Sequence, residues 1–561
     1  MHANRRNSNN YRILRDILSK SRKAHLPPEA RYLIIYAFIY KYYSDFLKSH
    51  FLSVIQDEEY TLDEAYRSLN FNAEFRNDAF HMFGYFIEKP DAFFDEVVNT
   101  KFNENAFLRQ FFNIFQENLI FEDNSNNKKY MDFIFDAVVN EFPFNLYELD
   151  LESTTIIKDL ILSISKLDVF DPEFAFTDVF EVIGESDILN VNSNPEYIYQ
   201  ILSTILISQK QNLNTIYDPF MGNGLSFLYL SEAFGLWANK YGKESDKVTY
   251  CYTIARLLMS AYNFDKLYLE NEDAFESIDI DGTSFDGILS VIPIAIHNYH
   301  TSNKNQSLEI AKRHKREELE KMLSNNFNMD SSSFSQDNEL NNVLEKLINK
   351  MDVDENSVSE FMGEYESLND SEFLFLINLI DSLKNDGVMA ISISQNFLFK
   401  DSLKTLRKYL TFEKNYIDAI INIPNEFGRY KRPEVVIVFK KNRNTNKILF
   451  IDMSRDFKTR RGRIVVRGSF KSNLLLDKPT LDKMCDVLNN KLVVSKFSSL
   501  VSMDEILKNG FNLSVSKYVD TFEGEFIRLK DLVNEKIEID EKRMLLTKEI
   551  DKMMDELNIK F

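Results

Sequence analysis

Residues 215–225 read Thr-Ile-Tyr-Asp-Pro-Phe-Met-Gly-Asn-Gly-Leu, a short apolar run followed by a glycine-containing turn and the start of a helical pattern. In a doubly wound sheet, ligands lie outside the carboxyl ends of the strands, where such turns occur. Two glycines allow a sharp turn and a close approach to a ligand, and Asp218 offers a carboxylate to a cationic or hydroxylated group. We therefore predict a ligand-binding loop rather than a plain strand-to-helix turn. Its residues are Asp218, Pro219, Phe220, Met221, Gly222, Asn223 and Gly224.

Short apolar runs alternate with helical ones from about residue 186 onward. Such alternation is typical of a parallel sheet with crossover helices. We therefore predict a doubly wound, mostly parallel α/β sheet of the Rossmann-like class over residues 186–520. Helices are predicted at 254–261 and 373–383. The predicted strands are 215–217, 248–252, 287–290, 388–393, 417–422 and 435–439.

Residues 1–185 precede this alternation and are predicted to form an all-α N-terminal domain. Apolar residues recur there at helical spacing, as in Ile13, Leu14, Ile17 and Leu18. The phenylalanine-rich stretch 78–87 is also predicted to be helical. Its aromatic side chains are expected to belong to the core rather than to contact a cofactor.

Two further segments differ in composition from their surroundings. Residues 301–365 are rich in Lys, Glu, Asn and Ser, and we predict a polar helical insertion with a flexible middle. Residues 521–561 are predicted to form an amphipathic helix, because Leu546, Ile550, Met553 and Leu557 are spaced four, three and four apart. This face suits a coiled-coil partner, or equally the protein's own body.

The composition, with 44% hydrophobic and 27% charged residues in 561, is that of a globular protein. We see neither a signal peptide nor an apolar run long enough to span a membrane. The two cysteines are too few for a disulfide scaffold or a zinc site, so no metal is expected and a reducing cytoplasm is the natural setting.

The net charge of −20 opposes non-specific binding of nucleic acid, which depends on Lys and Arg replacing counterions. Contact with DNA would therefore need a partner or a local basic patch. Such a patch is present in two nearby clusters, although runs of charge are also common on solvated faces. The candidate DNA-contacting residues are Arg429, Lys431, Arg432, Arg460, Arg461 and Arg463.

The loop at 218–224 resembles motif I of the amino-methyltransferases, which cradles S-adenosylmethionine (SAM). By the same resemblance, Asp273 and Ala274 stand where the family contacts the cofactor's adenine, and Asn194 and Pro195 stand in a segment that covers the cofactor. The acid that should hold the ribose is harder to place. Spacing back from the following helix suggests Asp246, whereas a strand at 248–252 suggests that the acid is missing.

Stretches away from the loop resemble the modification (M) subunits of type I restriction-modification systems, a branch of the N-6 adenine DNA methylases. These stretches are 26–32, 38–45, 370–399, 423–427, 433–440, 448–452 and 511–518. The resemblance implies a SAM-dependent adenine-N6 methyltransferase that acts on double-stranded DNA. It also implies two kinds of partner, a specificity subunit and a second methyltransferase subunit, with the C-terminal helix as a contact.

The family's catalytic motif, Asn-Pro-Pro-Phe, corresponds here to Val291, Ile292, Pro293 and Ile294. In the family, the Asn side chain and a Pro carbonyl accept the hydrogens of the adenine amino group, and the aromatic ring stacks on the flipped base. A valine side chain cannot accept a hydrogen bond, and an isoleucine cannot stack as an aromatic ring does. We therefore predict weak or absent catalysis. The alternatives are a non-catalytic scaffold or regulator that binds DNA or SAM in a defence complex, and a methyltransferase for a non-DNA acceptor.

Overall fold

The computed structural model describes most of the chain, with gaps. The described residues are 8–22, 26–55, 63–64, 66, 73–102, 106–121, 125–143, 151–191, 194–234, 238–260, 266–275, 282–293, 371–424, 434–456, 458–459, 474–521 and 529–556. The predicted insertion at 301–365 lies outside these residues, as do Ile294 and all six residues of the predicted basic patch.

The N-terminal region is helical, as predicted. Its helices are α1 Asn9–Arg22, α2 Ala30–Ile55, α3 Ala73–Phe83, α4 Phe94–Asn99, α5 Phe107–Asn118, α6 Asn126–Glu141, α7 Leu151–Ile164 and α8 Phe176–Glu185. Helix α2 is central, and its aromatic side chains are buried against those of α5; the rings of Tyr40 and Phe115 stack with centroids 3.8 Å apart. The aromatic residues of this region therefore form its core, as expected from the sequence.

One prediction in this region is wrong at its end. Helix α3 stops at Phe83, and Gly84 adopts a φ of +75°, a conformation that ends helices and that only glycine adopts readily. The next residues form strand β1, Tyr85–Ile87, which pairs antiparallel with β2, Leu119–Phe121. The sequence pattern of 78–87 contained no signal for this change other than the glycine itself.

The remaining strands form one large sheet and one small one. They are β3 Thr215–Asp218, β4 Asn239–Lys243, β5 Leu267–Glu270, β6 Phe285–Val291, β7 Leu383–Ser394, β8 Ile417–Asn422, β9 Glu434–Lys440, β10 Ile448–Asp452, β11 Lys458–Thr459, β12 Leu474–Leu475 and β13 Ser498–Val501. The nine-stranded sheet has the order β13-β10-β8-β9-β7-β6-β3-β4-β5, and β11 pairs with β12. Pairs on both sides of β9, and the pair of β10 with β13, are antiparallel; the others are parallel, which confirms a mostly parallel sheet.

Helices cover this sheet and extend beyond it. They are α9 Glu196–Gln209, α10 Leu225–Phe234, α11 Lys247–Met259, α12 Ser371–Asp381, α13 Asn396–Phe399, α14 Lys404–Lys408, α15 Lys478–Asn490, α16 Met503–Lys508 and α17 Leu529–Glu556. Helix α17 is the predicted C-terminal helix, and Leu546 and Ile550 on it are more than half exposed. None of the helices described here is long and apolar enough to cross a membrane.

The predicted strand at 248–252 is wrong, because these residues lie within α11. Their β-branched and aromatic side chains favour a strand locally, but Asp246 caps a helix that begins at Lys247. From Val248 onward the helix is buried on every side, so it shows no polar face in the sequence. The true strand is β4, which contains two lysines and a glycine and carries little strand propensity.

The helical region is joined to the sheet at the edge strand β5. The hydroxyl of Tyr130 in α6 donates to Leu267 O at 3.0 Å and accepts from Leu269 N at 2.9 Å. The Tyr250 hydroxyl donates to Leu269 O at 3.0 Å. These buried bonds satisfy backbone groups on the side of β5 that has no neighbouring strand, so the N-terminal helices complete the sheet.

Candidate functional site

The order of the strands places a crevice beside the carboxyl end of β3. The chain runs from β3 outward to β4 and β5, and then returns to add β6 and β7 on the other side of β3. The loops after β3 and β6 therefore leave the sheet in opposite directions. Ligands of open α/β sheets bind at such a switch point, and the predicted loop 218–224 follows β3 there.

The glycine loop turns sharply through two residues with positive φ. Gly222 and Gly224 have φ values of +50° and +75°. A Cβ added to Gly224 would lie 2.9 Å from Thr253 Cγ2, so this position also requires glycine for packing. Thr253 donates a hydrogen bond to Gly222 O, and Arg256 Nη1 donates to Asn223 O at 3.2 Å. Helix α11 thus holds the loop from behind.

Asp218, the last residue of β3, is fully buried. Its Oδ1 accepts hydrogen bonds from Ser290 Oγ at 2.7 Å and from Phe220 N at 3.1 Å. Its Oδ2 is buried without a hydrogen-bond partner of normal geometry among the described residues. Burial raises the pKa of Asp218 to about 6, opposed by the hydroxyls of Ser226 and Ser290 and by the Phe220 amide. One oxygen of this buried carboxyl therefore has no hydrogen bond of normal geometry from the described residues, although the Ser226 hydroxyl acts on the group.

A second carboxyl, Glu244, lies directly after β4, the strand next to β3. Burial, together with the neighbouring charges of Asp246 and Asp218, raises its pKa to about 7, against the backbone amides of Asp246 and Gly222. The Asp246 amide donates to Glu244 Oε1 at 2.8 Å. Glu244 thus borders the glycine loop and stands 20 residues after Gly224. In dinucleotide-binding folds of this kind, an acid at about this spacing holds ribose hydroxyls.

Asp246, which spacing had suggested for the ribose, caps α11. Its Oδ2 accepts from Thr249 N at 2.8 Å and from Thr249 Oγ1 at 2.6 Å. One of its oxygens is therefore committed to the helix. Sequence reasoning missed Glu244 because it placed the strand at 248–252. The available signal was the spacing of an acid from the glycine loop.

The other predicted cofactor residues lie around the same crevice. Asp273 and Ala274 follow β5 in the loop 271–275, where Asp273 Oδ1 accepts from Phe275 N at 2.9 Å and Ala274 is buried. Asn194 and Pro195 precede α9, and Asn194 Nδ2 donates to the Tyr199 hydroxyl at 3.1 Å. Burial raises the pKa of Tyr199, and Asp218 raises it further. The structure therefore brings the Asn194 segment to the Asp218 side of the crevice.

The residues at the catalytic motif are partly incorporated into the sheet. Val291 is the last residue of β6, only 5% exposed, and it packs in the same apolar cluster as Leu206 and Ile421. Ile292 is also buried, and its amide donates to Ser392 O at 2.9 Å, while Pro293 is exposed. The position where the resemblance expects an amide therefore holds a buried apolar side chain.

Comparison with known proteins agrees with this fold. The profile of the family described as N-6 DNA Methylase matches residues 349–525. The chain is 26% identical to the type I restriction enzyme MpnII methylase subunit of Mycoplasma pneumoniae over 507 residues, covering 85% of this chain and 83% of that protein. Over residues 349–525 the chain therefore resembles the N-6 DNA methylase family.

Two further matches are to proteins of the same kind. The type I restriction enzyme MjaVII methylase subunit of Methanocaldococcus jannaschii is 35% identical over 152 residues, which cover 26% of this chain and 25% of that protein. The crystal structure of the type I restriction-modification methyltransferase subunit from Streptococcus thermophilus superimposes with a TM-score of 0.63 at 20% identity. The superposition covers 91% of this chain and 99% of that one. This structural likeness confirms the methyltransferase fold with its N-terminal helical region.

The crevice is the candidate cofactor site. The similarity to methyltransferases points to S-adenosylmethionine as the cofactor. The described residues contain no group of three or more His, Cys, Asp and Glu side chains that could hold a metal ion. The two cysteines are free thiols, and Cys251 is buried in α11.

Proposed function

We propose that this chain is the modification subunit of a type I restriction-modification system, a SAM-binding protein of the DNA adenine-N6 methyltransferase type with weak or absent methyl transfer. The observation that supports it most directly is the pair of partly or fully buried carboxyls, Asp218 and Glu244, beside a glycine loop with positive φ values. The family relationship supports the substrate class, and the names of the relatives support the type I system.

The residues of the crevice fit the chemistry of SAM. The unpartnered Oδ2 of Asp218 suits an N–H or O–H donor of the cofactor. Glu244, at the end of the neighbouring strand, suits the ribose hydroxyls. The loop at Asp273 and Ala274 would contact the adenine ring of the cofactor. The segment of Asn194 and Pro195 would cover the bound cofactor. SAM supplies an activated methyl group when it is bound.

The remaining task of such a site is to present an adenine amino nitrogen. The base must leave the duplex, because its amino group cannot be attacked within the stack. No general base is needed in the chemical step, so catalysis depends on positioning and on acceptors for the two amino hydrogens. The side chain of Val291 has no hydrogen-bond acceptor for these hydrogens, and we therefore propose weak catalysis.

We propose double-stranded DNA as the target, bound as part of a complex, because the net charge of −20 disfavours binding by the chain alone. The partners would be a specificity subunit and a second methyltransferase subunit, with α17 as one contact because its apolar residues are exposed. The setting would be the cytoplasm. We propose that the basic patch contacts DNA through Arg429, Lys431, Arg432, Arg460, Arg461 and Arg463.

A specific observation favours a second function, that of a non-catalytic scaffold or regulator in the same complex. Val291 is buried within a strand rather than displayed at the crevice. The site would then bind SAM or DNA without turnover. Transfer to a non-DNA acceptor has no comparable support.

Binding of SAM is the direct test, and we expect a micromolar dissociation constant by isothermal titration to the full chain. Glu244→Gln is expected to weaken binding about 10- to 100-fold, because hydrogen bonds to a charged acceptor contribute about 1.5–3 kcal/mol. Glu272→Gln, at an exposed neighbouring carboxyl that pairs with Lys243, is the matched control and should bind SAM normally. Absence of binding by the unmodified chain would overturn the SAM proposal.

Affinity for SAM is expected to rise between pH 5 and pH 8. The pKa values of Asp218 and Glu244 are about 6 and about 7, so both carboxyls are largely protonated at pH 5. The ionised forms are the better acceptors for cofactor donors, so binding should release protons in this range. Titrations in buffers of different ionisation enthalpy measure that release. A pH-independent affinity would contradict the assignment of these carboxyls.

The same carboxyls predict the opposite trend for stability without ligand. Their folded pKa values lie above the ordinary values of 3.8 and 4.5, so the folded chain binds more protons than the unfolded chain between about pH 4 and pH 7. Stability therefore falls as pH rises through that window. Saturating SAM should reduce the fall, because it favours the ionised forms.

A further inference from the structure

Gln395 lies at the crevice edge of the sheet, beside the strand that should present the catalytic amide. It follows Ser394, the last residue of β7, and β7 pairs in parallel with β6 such that Ser392 is opposite Val291. The carboxyl ends of the two strands therefore meet at the same edge. No motif of the sequence had drawn attention to this residue.

A chain of hydrogen bonds fixes the orientation of the Gln395 amide. Its Nε2 donates to Asn422 Oδ1 at 2.8 Å and to the backbone oxygen of Glu434 at 3.3 Å. Asn422 Nδ2 in turn donates to Asp452 Oδ1 at 3.2 Å. A backbone carbonyl and an ionised carboxylate can only accept hydrogen bonds. The acceptors Glu434 O and Asp452 Oδ1 thus require the side-chain nitrogen of Gln395 to point into the hydrogen-bond network. The side-chain oxygen must then point out of the network.

The outward Oε1 of Gln395 accepts no hydrogen bond from any residue that the structure describes, and it is absent from the buried polar atoms that lack partners. It is therefore a pre-oriented acceptor in contact with solvent. If the network only closed the edge of the sheet, it would use the Nε2 donors of Gln395 and would need no acceptor at Oε1.

We infer that Gln395 presents its side-chain oxygen to the exocyclic amino group of the target base, in place of the acceptor that Val291 cannot supply. This inference rests on the proposed function, because it requires an adenine to enter the crevice. The side chain supplies one hydrogen-bond acceptor beside the reacting nitrogen. It supplies no stacking surface, so it replaces only one part of the altered motif.

The test compares two ligands that differ only in the amino group. The full chain, saturated with S-adenosylhomocysteine, is titrated with fluorescent oligothymidine containing one central adenine or one central purine, which lacks the amino group. One hydrogen bond contributes about 0.5–1.5 kcal/mol, so the unmodified chain should prefer adenine about 2- to 10-fold. Gln395→Ala should bind both oligonucleotides equally, with unchanged affinity for the purine form.

Gln110→Ala, at an exposed position in α5, is the matched control and should retain the preference for adenine. If Gln395→Ala lowers the melting temperature, Gln395→Met, which fills a similar volume, takes its place. Equal binding of both oligonucleotides by the unmodified chain overturns this inference alone. A preference that persists in the Gln395 variants also overturns it. Each titration is repeated with a specificity subunit, and failure to bind either oligonucleotide both with and without that subunit overturns the proposed function, and this inference with it.

Discussion

Methyl transfer from tritiated SAM to unmodified DNA is expected to be at least about 100-fold slower with this chain than with a family member whose motif is intact. Loss of one transition-state hydrogen-bond partner commonly lowers the rate about 100- to 1000-fold. Val291 removes that partner from its usual position, and the sequence has Ile294 where an aromatic ring should stack. The acceptor inferred at Gln395 would restore part of the loss and none of the stacking.

The assay is run with and without a specificity subunit, with an intact Asn-Pro-Pro-aromatic methylase as the positive control. SAM binding measured in the same preparation separates a slow chemical step from an empty cofactor site. An ordinary rate of adenine methylation by this chain would show that the altered motif is compatible with catalysis, and would remove the support for a scaffold.

Arg407→Met is expected to lower the free energy of unfolding by about 3 kcal/mol, roughly a 100-fold change in the folding equilibrium. The Arg407 side chain is only 1% exposed, and it donates to three backbone oxygens: those of Phe511 at 2.7 Å, Phe397 at 2.9 Å and Lys400 at 2.8 Å. Methionine leaves buried carbonyls without donors, each costing about 1–3 kcal/mol. Relief of a buried charge, whose pKa falls to about 10 because of desolvation, offsets part of this.

Thermal unfolding of the full chain measures the effect, and we expect a melting temperature about 2–3 °C lower, because the unfolding entropy of 561 residues is large. Lys408→Met is the matched control in the same helix, because Lys408 is half exposed and its ion pair with Glu413 contributes little. Equal melting temperatures for the two variants would contradict the role given to Arg407.

Arg407 also explains a stretch that the sequence identified without a reason. The segment 511–518 resembles a closing signature of the M subunits, yet its residues suggest no chemistry. In the structure, Arg407 links Phe511 to the turn after β7, and Leu513 N donates to Leu398 O at 2.8 Å. The segment therefore braces the turn that carries Gln395. Contacts between residues a hundred positions apart cannot be read from local patterns.

The sequence predicted the strand-to-helix turn at the glycine loop and the positions of five of its six predicted strands correctly, because apolar runs and glycine turns carry local signals. It failed at β4, where Lys240 and Lys243 are buried in a strand and Lys243 pairs with Glu270 and Glu272. Tertiary packing decides such a strand, and propensity does not. Because the strand was predicted at 248–252, Glu244 was not recognised as the residue at the end of a strand. The inference at Gln395 needed hydrogen-bond directions, which no sequence pattern contains.

The bonds from Tyr130 to the outer side of β5 bear on how this protein can be divided. A cut near residue 190 would seem natural, since the helices lie before it and the sheet after it. It would leave Leu267 O and Leu269 N of β5 without the partner that Tyr130 supplies, and unpaired edge groups are a template for pairing with another chain. That strand leads directly into the loop of Asp273, so the cut would also release one wall of the crevice. The N-terminal helices are therefore best regarded as the missing neighbour of the last strand, and as part of the same structural unit as the sheet.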